Sequence, residues 1–150
     1  MELGVFIQSP DTQQMGLSLF EEGSRLTDHT NINLVVFYHN YGTIPLKPSF
    51  TMLQSSQIWG FEGPIISTDY NTSRFLIKCP TPRKKYYYVW NLDWIYKIRS
   101  WEANSIVMQD DGLELIARSQ EHYDIISELW KKPTCIMEDF NYETLETLAS

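Results

Sequence analysis

The chain has 150 residues, 43% hydrophobic and 21% charged. That length and composition describe one globular domain able to bury its own core, and exclude a disordered tail, a collagen-like fibre and a disulfide-built miniprotein. Twelve Lys and Arg against 19 Asp and Glu leave a net charge of −7, which repels phosphate backbones and argues against nucleic-acid binding.

Leu3 to Ile7 is a short apolar run closed by Ser9-Pro10-Asp11, the pattern of a buried strand. Met15, Leu17, Leu19, Phe20 and Leu26 follow at three- and four-residue spacing. Glu21, Glu22 and Arg25 fall on the other face, which predicts an amphipathic helix broken by Asp28 to Asn31. Asn33 to Tyr38 is β-branched, aromatic and apolar on both faces, as in a parallel strand covered from both sides. His39 to Gly42 form a loop, and Pro45 and Pro48 bracket another. Phe50, Met52, Leu53, Ile58, Trp59 and Phe61 predict a helix stopped by Gly60 and Gly63.

Pro64 to Thr68 is a third strand, and Asn71 to Ile77 a short helix or turn closed by Pro80 and Pro82. Lys85 to Trp90 is a fourth strand, entered through the cationic turn Arg83-Lys84-Lys85. Trp94 to Trp101 reads as helical and Ala103 to Gln109 as a second short helix. Leu113 to Arg118 is the fifth strand, opened by Asp111-Gly112. Ser119 N-caps a helix with Tyr123, Ile125, Ile126, Leu129 and Trp130 turned inward. Pro133 ends it. Thr134 to Met137 is the last strand, and Asn141 caps a closing helix through Leu148.

This alternation predicts an α/β fold: a single doubly wound, mostly parallel, six-stranded Rossmann-like sheet with helices on both faces. Ligands of such sheets sit beyond the carboxyl ends of the strands. The candidate binding residues are therefore Ser9, Asp11, Thr12, Gln13 and Gln14 after the first strand, Asn40 and Tyr41 after the second, and Asp69 after the third. Asn91 and Trp94 follow the fourth, Ser119 and Glu121 the fifth, and Glu138 the last. Asp93 and His39 are the candidate catalytic groups, a carboxylate and an imidazole able to move a proton near neutral pH. Each has a plainer reading: Asp93 caps the helix beginning at Trp94, and His39 is a loop histidine bonded to backbone. His122 reads as a surface histidine. Aromatic residues make up 14% of the chain, mainly as large core side chains, with Tyr41 and Trp94 at loop ends where a sugar face could stack.

Several chemistries are missing from the sequence. A single Gly16 after the first strand is too few for GxGxxG, and no GxxxxGK[ST], GxSxG or HExxH occurs. No metal site and no cofactor are expected. Cys79 and Cys135 belong to no CxxC pair and read as two buried thiols of a reducing compartment, with a disulfide between them as the alternative. No secretory leader and no apolar stretch of membrane-spanning length is seen, so the expectation is a soluble, cytoplasmic protein.

Leu113 to Ser119, Glu121 to Trp130 and Pro133 to Asn141 together resemble the end of the amino-terminal domain of GT-B glycosyltransferases. There a strand ends in a serine, a helix follows, and a short strand leads into a Pro-Asn-Gly-Val-Asp turn, whose place is taken here by Met137-Glu-Asp-Phe-Asn141. Tyr86 to Trp94 is similar to the preceding strand and its acceptor-side loop. The resemblance implies an acceptor-side half that packs against a nucleotide-sugar-binding Rossmann domain. Its partners would be a nucleotide sugar or glycan acceptor, and a separate donor-binding domain or a second copy of the chain.

Three departures stand against full activity. The chain stops after one closing helix, the glycine-rich loop is replaced by Ser9 to Gly16, and the Asn-Gly pair by Glu138 to Phe140. Alone, such a half is expected not to transfer sugar, because the donor pocket and its anion-binding helix terminus are missing. The small size and irregular motifs suggest a phage-encoded or mobile-element relative, acting in the host cytoplasm. The alternative is a noncatalytic binding module that kept the fold, lost the chemistry and self-associates through its cleft face or an edge strand. A third reading is a small flavodoxin-like or nucleotide-binding enzyme with Tyr41 and Trp94 sandwiching a flat ring.

Overall fold

Apolar runs too short for helices, each followed by a longer amphipathic stretch, assemble into one covered sheet. The computed structural model describes residues 1–11 and 13–150. Its strands are β1 (Glu2–Ile7), β2 (Asn33–Tyr38), β3 (Thr51–Gln54), β4 (Pro64–Ser67), β5 (Lys84–Val89), β6 (Glu114–Ala117) and β7 (Cys135–Ile136). Its α-helices are α1 (Gln14–His29), α2 (Tyr70–Ile77), α3 (Ile98–Met108), α4 (Gln120–Leu129) and α5 (Tyr142–Ala149). Ser55–Gly60 and Asp93–Tyr96 form 3₁₀ turns. The sheet order is β3-β2-β1-β4-β5-β6-β7, and every neighbouring pair is parallel.

Side chains alternate across each strand, so the sheet divides the core in two. Leu3, Val5 and Ile7 of β1 and Leu34, Val36 and Tyr38 of β2 pack with Leu19, Phe20 and Leu26 of α1 and Leu145 and Leu148 of α5. The residues between them, Phe6, Val35 and Phe37, pack with Ile58, with Leu76 of α2, Val107 and Met108 of α3, and Ile126 of α4. Gly23 lets α1 lie close on the sheet, since a Cβ there would stand 2.7 Å from the Leu34 side chain and 3.1 Å from the Phe50 ring.

The doubly wound α/β architecture is as expected, but the sheet has seven strands, not six. The added strand, β3, falls in the segment 50–61 expected to be a helix. Those apolar residues serve opposite faces of the sheet. Phe50 and Met52 join the α1 side, where Phe50 meets Phe20 edge-on at 5.2 Å, while Ile58 and Phe61 join the other side. A single helix stripe cannot do both, so the chain runs as an edge strand and then a 3₁₀ turn. The 94–101 helix is likewise split into a 3₁₀ turn and α3, and Leu129, expected to face inward, is 42% exposed. Cys79 and Cys135 are both unpaired and lie against opposite cores, which removes the disulfide alternative. Burial raises both thiol pKa values.

Tyr87 and Tyr88 point to opposite faces of β5, and burial holds both phenols well above their ordinary value. The unfolded chain ionises them at about pH 10 while the fold keeps them protonated. Their contribution to stability is therefore intact below about pH 10 and falls as pH rises beyond it. In an alkaline titration followed by tyrosinate absorbance and circular dichroism, these two phenols should ionise only as the helices melt.

Candidate functional site

The connections leaving β1 and β4 depart to opposite faces of the sheet, α1 to one and α2 to the other. This is the point where the strand order reverses, and it opens the carboxyl edge of the sheet. Local bonds fix the loops around it. The Gln8 carbonyl accepts the N–H groups of His39 (3.1 Å) and Asn40 (3.0 Å), tying the β1 and β2 loops together. Asp11 Oδ1 accepts the Gln13 N–H at 3.0 Å on the way into α1. Thr68 Oγ1 donates to the Phe6 carbonyl at 2.8 Å. Asp69 N-caps α2 in a reciprocal box with Thr72, its Oδ1 accepting both the Thr72 N–H and hydroxyl at 2.8 Å.

Three clefts lie along this edge. The first, of about 480 Å³, is formed by Gln8, His39 and Asn40 on one side and Asn71, Arg74, Phe75 and Lys78 of the α2 region on the other. The His39 ring lies 4.8 Å from that of Phe6 and 5.3 Å from that of Phe75, so it is part of the cleft's aromatic floor.

The middle cleft, of about 210 Å³, lies at the ends of β4 and β5 and is lined by Thr68, Asp69, Tyr70, Tyr87, Trp90, Asn91, Trp94 and Asn104. Its groups are held from behind. Tyr87 donates its hydroxyl to Asn104 Oδ1 at 3.3 Å, and Asn104 Nδ2 donates to the Ser100 carbonyl at 2.9 Å. The Trp94 indole N–H donates to the Asn91 carbonyl at 3.1 Å, and its ring rests 5.3 Å from that of Trp130.

The third cleft, of about 290 Å³, joins Arg118, Ser119 and His122 to Glu138 and Asp139. Ser119 caps α4 by accepting the His122 N–H at 3.2 Å, while His122 Nδ1 is buried without a partner among the described residues. Beside it, Asp139 and Phe140 have φ of 48° and 54°. Left-handed backbone is tolerable for Asp and strained for a bulky residue such as Phe. The surroundings enforce it. Arg118 pairs with Asp139 at 2.9 Å and lies 3.8 Å over the Trp90 ring, and the Ser18 hydroxyl donates to the Asp139 carbonyl. The buried Phe140 ring packs edge-on to Tyr88 and stacks on Trp90.

The expected residues distribute unevenly. His39 and Asn40 line the first cleft, Asp69, Asn91 and Trp94 the middle one, and Ser119 and Glu138 the third. Ser9, Asp11, Gln13, Gln14, Tyr41, Asp93 and Glu121 line none of them, and Thr12 lies outside the described residues. Asp93 is exposed, and Leu92, not Asp93, is the residue that precedes its 3₁₀ turn, so it neither caps nor faces a cleft. His39 and Asp93 follow β2 and β5, which stand three strand positions apart, or about 14 Å at the usual spacing. They are not an acid–base pair. Tyr41, 78% exposed and packed on Tyr38, is separated from Trp94 by the same strands, so the two do not sandwich a ring.

Sequence reasoning missed Gln8, Arg74, Phe75, Lys78, Asn104 and Arg118. The 71, 74, 75, 78 spacing of one helix face was the available signal for three of them. Among the described residues no cluster of three His, Cys, Asp or Glu could hold a metal ion, and no helix is long and apolar enough to cross a membrane. No protein-family model, curated protein or solved structure matches this chain.

Two substitutions separate the contributions at this edge. Asp69→Ala removes the α2 cap and should cost about 1 kcal/mol. Phe140→Ala empties a fully buried aromatic site and should cost about 3–5 kcal/mol, even though it shrinks the side chain on strained backbone. Urea unfolding of the two variants checks both values and their order.

Proposed function

We propose that the chain is a glycosyltransferase-like, acceptor-side sugar-binding domain of the GT-B amino-terminal kind, which holds a sugar or glycan in the middle cleft and does not transfer it alone. The observation that carries this reading is the Trp94 indole set among the polar groups Asp69, Asn91 and Asn104 in that cleft. A pyranose presents C–H faces that pack on an aromatic ring and hydroxyls that bond carboxylates and amides around its rim. Asp69 is already oriented by Thr72, and Trp94 by Asn91 and Trp130, so little side-chain freedom is lost on binding.

A second support is the turn after β7. Asp139 stands at the glycine position of the resembled Pro-Asn-Gly-Val-Asp turn, and its φ of 48° is the left-handed backbone that glycine favours. The departure in sequence is thus accommodated in conformation. Neither Asp93 nor His39 lines the middle cleft, which favours binding without catalysis by this chain. A noncatalytic module therefore remains the second reading. The transfer reading needs a separate donor-binding domain, and either reading is compatible with association of two copies through the exposed edges at Leu53 and Ile136.

Calorimetric titration with glucose, galactose, N-acetylglucosamine, their disaccharides and UDP-glucose tests the proposal. Binding of at least one sugar is expected, with Trp94→Ala or Asp69→Asn weakening it about tenfold, a loss of about 1.4 kcal/mol. Absence of binding across the panel, alone and with candidate donor domains, overturns it. Sedimentation at high concentration reads the association separately, and a strict monomer would remove the second-copy partner.

A further inference from the structure

The first cleft is chemically unlike the middle one. Its cations are Arg74 and Lys78, and none of its lining residues is acidic, although the chain carries a net charge of −7. Asn71, Arg74, Phe75 and Lys78 recur at three- and four-residue intervals, which puts them on one face of the α2 region. Among the described residues neither cation forms an ion pair; the pairs use Arg25, Lys84 and Arg118. Capping the end of α2 does not account for them, because the Lys85 ammonium already donates to the Ile77 carbonyl at 3.2 Å. Across the cleft, Gln8 Oε1 is buried and has no hydrogen-bond partner among the described residues. A buried amide oxygen without a donor is destabilising, so a ligand that supplies an O–H there is favoured.

We infer that this cleft binds a small phosphorylated sugar or polyol, with the phosphate on Arg74 and Lys78, a hydroxyl on Gln8 and the carbon skeleton against Phe75. Two cations one helical turn apart match the charge of a phosphate monoester, about −1.5 to −2 at pH 7, better than that of a single carboxylate. The guanidinium supplies a planar fork and the ammonium a mobile point charge, a pairing suited to a tetrahedral oxyanion. The volume of about 480 Å³ is in the range of small-molecule sites. Asn40 and Asn71 add amides for further hydroxyls. Nucleic acid is disfavoured, since two cations on an acidic chain release few counterions. The inference goes beyond the sugar-binding proposal and rests on different residues.

Amide NMR of the whole chain, titrated with glucose 6-phosphate, glucose, inorganic phosphate and glucuronate, tests it. Glucose 6-phosphate should shift the signals of Asn40, Asn71, Arg74 and Lys78, and glucose should shift them at least tenfold more weakly. The pair R74Q and K78Q should weaken glucose 6-phosphate at least tenfold with Tm unchanged. Q8L should weaken glucose 6-phosphate while leaving inorganic phosphate alone. The inference is overturned by unmoved cleft signals, or by shifts that survive R74Q with K78Q. Equal affinity for inorganic phosphate removes the Gln8 contact, and tighter binding of glucuronate removes the phosphate assignment. Shifts confined to Asn91 and Trp94 report the middle cleft only, so each proposal fails on its own residues.

Discussion

Parallel strands cannot be joined by tight turns; each needs a crossover that returns the chain to the same end of the sheet. All the pairings here are parallel, so every outgoing loop emerges at one edge. Right-handed crossovers then fix which face each connection covers. Growth from β1 through β2 to β3 puts α1 on one face, and growth from β4 to β7 puts α2, α3 and α4 on the other. The edge between these directions cannot be covered by either set of helices. The first cleft follows from that constraint before any particular side chain is considered.

What fills the edge differs from end to end. Near β7 it is rigid: strained backbone at Asp139 and Phe140 is held by the Tyr88, Trp90 and Arg118 side chains, each of which makes more than one contact. Near β4 and β5 it is preorganised but hollow, with the Trp94 indole and the Asn104 amide bonded from behind. Near β1 and β2 it is open, and its charges are not internally neutralised. The gradient matters for any ligand at this edge, because a group already bonded by the protein would position it whereas an unspent donor or acceptor would attract it.

The electrostatics follow the same division. Acidic residues are concentrated at the two ends of the chain, whereas residues 31–100 carry an excess of basic side chains. The fold draws α2 and the β2 loop from that central segment to the same part of the edge. A chain whose overall charge disfavours anions thus presents a local surface that attracts them, at separations shorter than the screening length of about 8 Å at physiological salt.

The fold class and most of the elements are legible in the residue pattern. Asn33 to Tyr38 could only be a covered strand, and the caps Ser119 and Asn141 act as their residue types require. These features are local: a period, a cap or a breaker is read within a few residues. Long-range packing set what local periodicity could not. It split Phe50 to Phe61 between two faces, because which core an apolar residue serves depends on strands far away in the chain. It also separated His39 from Asp93 and Tyr41 from Trp94, since strand order, not sequence distance, sets their spacing. Gln8 and Arg74 became neighbours of one cleft for the same reason: the β1 end and a face of α2 meet only after the sheet has formed.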